Sequence, residues 1–304
     1  MKVVITGGSG FLGRPLARRL AAEGADVVVL TRGQHASGGN GHIRFVTWTS
    51  NEPAGAWAQE IDGAAAVINL AGESIAGRRW TPAQKQAILD SRVDATRSIV
   101  AAIRSAASPP AVLVNGSAVG YYGPHGHEVV TEDTPAGDDF LAHVCTRWEA
   151  EAERASGPVT RVVCIRTGLV LEKDGGALPQ MLPPFKFGVG GPIGSGQQYW
   201  PWIHREDWIG LVLWTLRQNL VSGPLNATAP EPVTNTEFAR ALGRALHRPA
   251  FMPAPAFALR LLLGEMADAL LLSGQRAVPR RAEQAGFTFT YTNVDAALRA
   301  IFTA

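Results

Sequence analysis

Gly7-Gly8-Ser9-Gly10-Phe11-Leu12-Gly13 is the stretch that decides the fold of this 304-residue chain. It follows a short apolar run, residues 2–6, that reads as a strand. It opens residues 11–23, where apolar side chains recur at helical spacing before Gly24 ends the pattern. Each of its spaced glycines answers a steric demand of a strand-to-helix turn laid over a pyrophosphate. Gly7 lets the chain turn sharply, Gly10 lets the backbone approach the phosphates, and Gly13 lets the helix pack close to the strand. The helix start, which carries Phe11 and Leu12, then aims free N–H groups and a partial positive charge at the anion. A glycine triplet alone says little; a strand before it and a helix after it, inside a βαβ unit, give it meaning.

Outward from that turn the pattern alternates. Residues 25–30, 43–48, 65–70, 111–115 and 161–166 read as further strands. Residues 82–107 read as a long helix stopped by Pro109-Pro110, and another helix ends near residue 155. Residues 33–41 and 121–139 are rich in loop-forming types. The alternation predicts an α/β protein with a doubly wound parallel sheet of the Rossmann kind and right-handed crossovers. After residue 167 a Gly- and Pro-dense stretch, 175–202, breaks the winding. A dinucleotide-binding domain over residues 1–167, its sheet completed by later segments, and a smaller mixed C-terminal lobe over 168–304 are therefore expected. The apolar run 257–272 is interrupted by Arg260, Glu265 and Asp268, so it reads as a buried or interface helix and not as a membrane span.

Charge and cysteine content narrow the function classes. The net charge is +2 with no basic run of five, so no nucleic-acid footprint is present. Cys145 and Cys164 form no CxxC and no metal-ligand spacing, which predicts no metal site and a reducing, cytoplasmic setting. The sequence begins directly in a strand, without a secretory leader pattern. The expected partners are a small-molecule substrate and, as an open possibility, a second copy of the chain.

The second strand's end selects the cofactor. An NAD site wants an acidic residue there to hold the ribose hydroxyls. Leu30-Thr31-Arg32 occupies the place and none is acidic. Arg32 suits a 2′-phosphate, because its planar fork donates two parallel hydrogen bonds, and Arg14 stands close by in sequence to assist. NADP(H) is the cofactor expected. The alternative is that both arginines are solvated cations.

Several further runs accompany the glycine loop: NLAGESI at 69–75, GSAVGYYG at 116–123, RTGLVL at 166–171, GGPIGSG at 190–196 and WIHRED at 202–207. With TGGSGFLG at 6–13, they make the chain resemble the extended short-chain dehydrogenase/reductase superfamily. The resemblance is to its atypical epimerase-family branch, which carries a C-terminal domain of unknown function. It implies that Leu70, Ala71 and Gly72 pass the cofactor ribose and that Ser117 is the catalytic serine, holding a substrate carbonyl or hydroxyl. It also implies a Tyr-x-x-x-Lys pair on the next helix. Counting from Ser117, with Glu149 as anchor, those places fall on Leu141 and Cys145, and neither can do the proton work. Candidate replacements are Tyr121 or Tyr122, Glu73 beside the nicotinamide, Cys145 as a low-pKa thiol, and His143. Each has an ordinary structural alternative.

On the substrate side, the resemblance places residues 183–202 along the cleft. His204 and Arg78, the latter next to Arg79 and Trp80, are candidate substrate contacts, and Asp207 reads as a helix cap. The sequence therefore predicts an NADP(H)-binding oxidoreductase or epimerase-like enzyme, with a non-catalytic NADP(H) sensor as the rival reading.

Overall fold

Every residue of β1 (Lys2–Thr6) after Lys2 is buried, as is every residue of the strand that becomes its neighbour, Ala66–Asn69. Strands covered by helices on both faces carry such continuous apolar runs. The computed structural model describes residues 1–33, 41–52 and 55–303; most of the loop expected over 33–41 lies outside them. After β1 come α1 (Gly13–Ala22), β2 (Asp26–Thr31), β3 (Ile43–Thr47), β4 (Ala66–Asn69), α2 (Pro82–Ser105) and β5 (Val112–Ala118). The two-residue β6 (Val129–Val130), α3 (Phe140–Glu153) and β7 (Arg161–Thr167) follow. Local chemistry sets the helix starts. The Thr81 side chain caps α2 ahead of Pro82, and Asp139 caps α3 by accepting from the Ala142 N–H at 2.8 Å.

The next segment is β8 (Leu169–Leu171), α4 (Leu178–Lys186), β9 (Tyr199–Trp200), β10 (Trp202–His204), α5 (Arg205–Arg217) and β11 (Gly223–Ala227). The main sheet has seven parallel strands in the order β11-β7-β5-β4-β1-β2-β3. Two elements from beyond residue 167 belong to this sheet and its flank. α5 buries Trp208, Ile209, Leu211, Val212 and Leu213, and β11 pairs with β7 inside the sheet. An apolar helix needs a face to cover, and the sheet flank beside α1 supplies it.

The chain ends with β12 (Val233–Thr234), α6 (Asn235–Leu246), α7 (Ala256–Leu263), α8 (Glu265–Ala267), β13 (Arg276–Ala277), α9 (Arg280–Gln284) and α10 (Val294–Thr303). The apolar run 257–272 is not one buried helix. Gly264, at φ +64°, breaks it, and α7 buries none of its residues: Phe257 and Leu261 are 73% and 80% exposed. No helix among the described residues is long and apolar enough to cross a membrane.

Chain reversal on either side of β1 and β4 opens a crevice at their C-terminal ends. Open α/β sheets bind ligands at such switch points.

Candidate functional site

The crevice floor is a glycine cradle. Gly7 has φ +67°, and a Cβ there would stand 2.6 Å from the Leu70 carbonyl oxygen. A Cβ on Gly13 would stand 2.3 Å from the Gly7 carbonyl oxygen, so α1 sits directly against the turn. No side chain caps α1, whose N-cap is Leu12. The Arg14 N–H donates to the Gly10 carbonyl at 3.0 Å and Pro15 has no N–H, so in the first turn it is the Gly13 N–H that has no partner among the described residues and can meet an anion. Phe11 packs against Gly175 and Gly176, where added Cβ atoms would reach its ring at 2.5 and 2.8 Å. That contact joins the phosphate loop to the segment after β8, and nothing in the spacing of 175–176 announced it.

At the end of β2, Thr31 is buried and Arg32 is exposed, with no hydrogen bond or ion pair to another described residue. Arg14 is also exposed, but its Nη2 donates to the Ser9 carbonyl at 3.1 Å. The end of β4 is held from below. Thr6 Oγ1 donates to Asn69 Oδ1 at 2.6 Å and accepts from the N–H groups of Leu70 and Ala71, each at 3.2 Å. Asn69 Nδ2 reaches Thr96 and Asn115 at 2.9 and 2.7 Å. These buried polar residues escaped the sequence reading because they look like ordinary strand and helix positions.

Gly72 and Glu73 follow, propped by Arg92 of α2. Arg92 Nη1 donates to the carbonyls of Glu73 and Ile88, both at 3.0 Å, and its guanidinium lies 5.1 Å from the Trp148 ring centroid. Burial lowers the Arg92 pKa from its ordinary value. The Glu73 N–H donates to Ser91 Oγ at 2.9 Å, and the Glu73 side chain is half-buried.

Ser117 lies near the end of β5, and its hydroxyl donates to Glu149 Oε1 at 2.6 Å. Arg166 of β7 clamps the same carboxylate through Nε and Nη2, both at 2.8 Å. With its proton committed to a carboxylate, Ser117 offers lone pairs to any ligand. Arg166 Nη1 also donates to the Tyr122 hydroxyl at 3.0 Å, and that hydroxyl donates to Asn226 Oδ1 at 2.6 Å. Burial pushes Tyr122 up to about 12. Burial opposes the charge on Arg166, yet its hydrogen bonds to Glu149 outweigh that and raise its pKa. Tyr121 stacks on this guanidinium at 3.4 Å, and its hydroxyl bonds to no other described residue. Of the tyrosine pair, Tyr122 is built into the core and Tyr121 is half-buried.

Leu141 packs against Gly120, where a Cβ would stand 3.2 Å from the Leu141 Cβ, and borders a cluster with Trp80 and Met266. Cys145 is buried and donates to the Ala118 carbonyl at 3.6 Å. Burial pushes its thiol up to about 11, which corrects the low-pKa expectation. His143 is exposed on α3. Two roles near residue 204 differ from those expected. His204, not Asp207, caps α5: its Nδ1 accepts from the Glu206 N–H at 3.1 Å while its ring stacks on Tyr291 at 4.0 Å. Burial lowers its pKa. The buried Asp207 carboxylate accepts from the Thr290 and Tyr291 N–H groups, each at 2.8 Å, and so anchors the C-terminal segment. Arg78 is exposed and unpaired among the described residues, whereas Trp80 is packed edge-on to Phe140. Among those residues no cluster of His, Cys, Asp or Glu could hold a metal.

Comparison with known proteins gives two family matches. Residues 3–227 match the NAD dependent epimerase/dehydratase family, and residues 254–301 match a domain of unknown function, DUF1731. The chain is 43% identical over 303 residues to the chloroplastic epimerase family protein SDR39U1 homolog of Arabidopsis thaliana, covering 99% of this chain and 86% of that one. It is 40% identical over 299 residues to the epimerase family protein YfhF of Bacillus subtilis, covering 98% and 97%. The crystal structure of human epimerase family protein SDR39U1 (isoform 2) with NADPH superposes at a TM-score of 0.91 with 39% identity, covering 100% of this chain and 99% of that one.

Proposed function

Because the chain belongs to the NAD-dependent epimerase/dehydratase family, we propose that it binds NADP(H) at the β1–β4 switch point. There it acts, as an oxidoreductase or epimerase-like enzyme, on a small carbonyl or sugar-like substrate. The observation that carries the reading is the uncapped α1 start over the glycine cradle, with the unpaired Arg32 at the neighbouring strand end. The NADPH of the human relative's crystal structure supports the phosphorylated cofactor. Gly7, Gly10, Phe11, Leu12 and Gly13 hold the pyrophosphate, Thr31 and Arg32 the 2′-phosphate, and Leu70, Ala71 and Gly72 the ribose beyond it.

When bound, the nicotinamide supplies or accepts a hydride. The protein's own part is to hold the substrate and move a proton. Ser117, with its hydroxyl proton drawn to Glu149, accepts a hydrogen bond from a substrate hydroxyl and orients it. Tyr121 and Glu73 are the groups assigned to carry a proton, and Arg78, in the loop after β4, is assigned to meet an anionic substrate group. His204 is left out of this set, since its capping and stacking contacts occupy it.

NADPH consumption across a panel of carbonyl compounds and nucleotide sugars tests the enzyme reading. Ser117→Ala is expected to lower any turnover found, and an unchanged rate would move the site elsewhere. Calorimetric titration tests the cofactor. Charge-assisted Arg–phosphate bonds contribute roughly 1.5–3 kcal/mol, so Arg32→Ala is expected to weaken NADPH about tenfold or more and leave NADH unchanged. A second reading, a non-catalytic NADP(H) sensor, draws on the packed Leu141 and the buried, protonated Cys145 where the superfamily's proton-transfer pair would stand. It predicts tight binding with no turnover on any compound in the panel.

A further inference from the structure

Arg92 is the buried cation that the cofactor reading leaves unused. It is 8% exposed, and among the described residues no carboxylate oxygen lies within 4.0 Å of it. Among the described residues Nη1 alone finds acceptors; Nε and Nη2 donate to none of them, yet neither is sealed from solvent. A buried guanidinium without a paired anion is costly, and charged groups in protein interiors are normally compensated. The groups facing it are the half-buried Glu73 carboxyl, which falls short of an ion pair, and the Cys145 thiol, which burial keeps neutral. Trp148 backs it from the other side.

Its position in the sheet gives the uncompensated charge a target. A dinucleotide straddles the switch point, with one nucleotide over the β1–β2 side and the other over the β4–β5 side. Arg32 marks the adenosine side, so the nicotinamide side is where Gly72 and Cys145 face Arg92, with Ser117 next to Cys145. Resting on the NADP(H) reading above, we propose that Arg92 makes the nicotinamide end of the crevice electropositive, so that the protein selects the reduced, uncharged nicotinamide over the oxidised, cationic one. A unit charge within about 10 Å, at the effective dielectric of a partly buried site, is worth roughly a tenfold difference in affinity.

Calorimetric titration of the full chain with NADPH and with NADP⁺ tests this. The wild type is expected to prefer NADPH about tenfold; Arg92→Met brings the two affinities together, and Arg92→Lys, which keeps the charge, keeps the preference. Glu73→Gln removes the partial counter-charge without touching Arg92 and is expected to widen the ratio, so the idea stays testable even if Arg92→Met does not fold. Equal binding of both forms by the wild type overturns the inference alone, as does an undiminished ratio in Arg92→Met or an unchanged one in Glu73→Gln. Failure of the wild type to bind either form overturns the cofactor reading and this inference with it.

Discussion

Replacing Glu149 by Ala removes the hub of the buried polar cluster, and the structure allows its cost to be worked out. The carboxylate accepts three hydrogen bonds, from Ser117 at 2.6 Å and from Arg166 twice at 2.8 Å. The side chains of Arg166 and Glu149 are only 3% and 14% exposed, so water cannot take over for the lost partner. Removing one member of a buried ion pair costs about 3–5 kcal/mol, mostly because the other charge is stranded. Arg166 keeps the Tyr122 hydroxyl and its stacking on Tyr121, which places the expected loss near the lower end, about 3 kcal/mol. Against a typical total of roughly 5–15 kcal/mol this is a severe defect. Urea denaturation reads it as a shift of midpoint at constant slope. The decisive variant is the double one, Glu149→Leu with Arg166→Met. With no charge stranded it is expected to be more stable than Glu149→Ala by about 1 kcal/mol or more. A single-variant loss below about 1 kcal/mol, or a double variant no better than the single, would show that the pair is not the electrostatic unit described.

Two other consequences are open to measurement. Burial moves Cys145 from 9.0 to about 11, so across that interval the native state keeps a proton that the unfolded chain has released. Its stabilising contribution is full below pH 9 and is lost as pH rises through 11, and Cys145→Ala should flatten the fall in urea midpoint over that window; an identical fall in the variant would refute the assignment. Asp207→Ala removes both anchors of the Thr290–Tyr291 backbone, and buried charged hydrogen bonds of this kind put the cost at about 2–3 kcal/mol. Limited proteolysis should then cut near residue 290, and full resistance at wild-type stability would mean the anchor is dispensable.

The local pattern of the chain determined the first half of the fold to within a few residues. β1 was legible as residues 2–6, the long helix as starting at Pro82, and the phosphate loop from its glycines, because periodicity and turn chemistry act over fewer than about ten neighbours. Counting from Ser117 also puts Leu141 and Cys145 at the places where the resemblance implies a Tyr–Lys pair. What those residues do instead was not legible. The Ser117–Glu149–Arg166 cluster joins β5, α3 and β7, and Tyr122 meets Asn226 across 104 positions of sequence. Single residues drawn from separate elements leave no periodic trace. The same holds for Arg92, which reads in sequence as one more helical cation until the Gly72–Glu73 loop folds over it. Tertiary structure also decided that β11 returns to the sheet and that His204, not Asp207, caps α5, because both depend on which apolar face or backbone end is left uncovered when the distant parts of the chain meet.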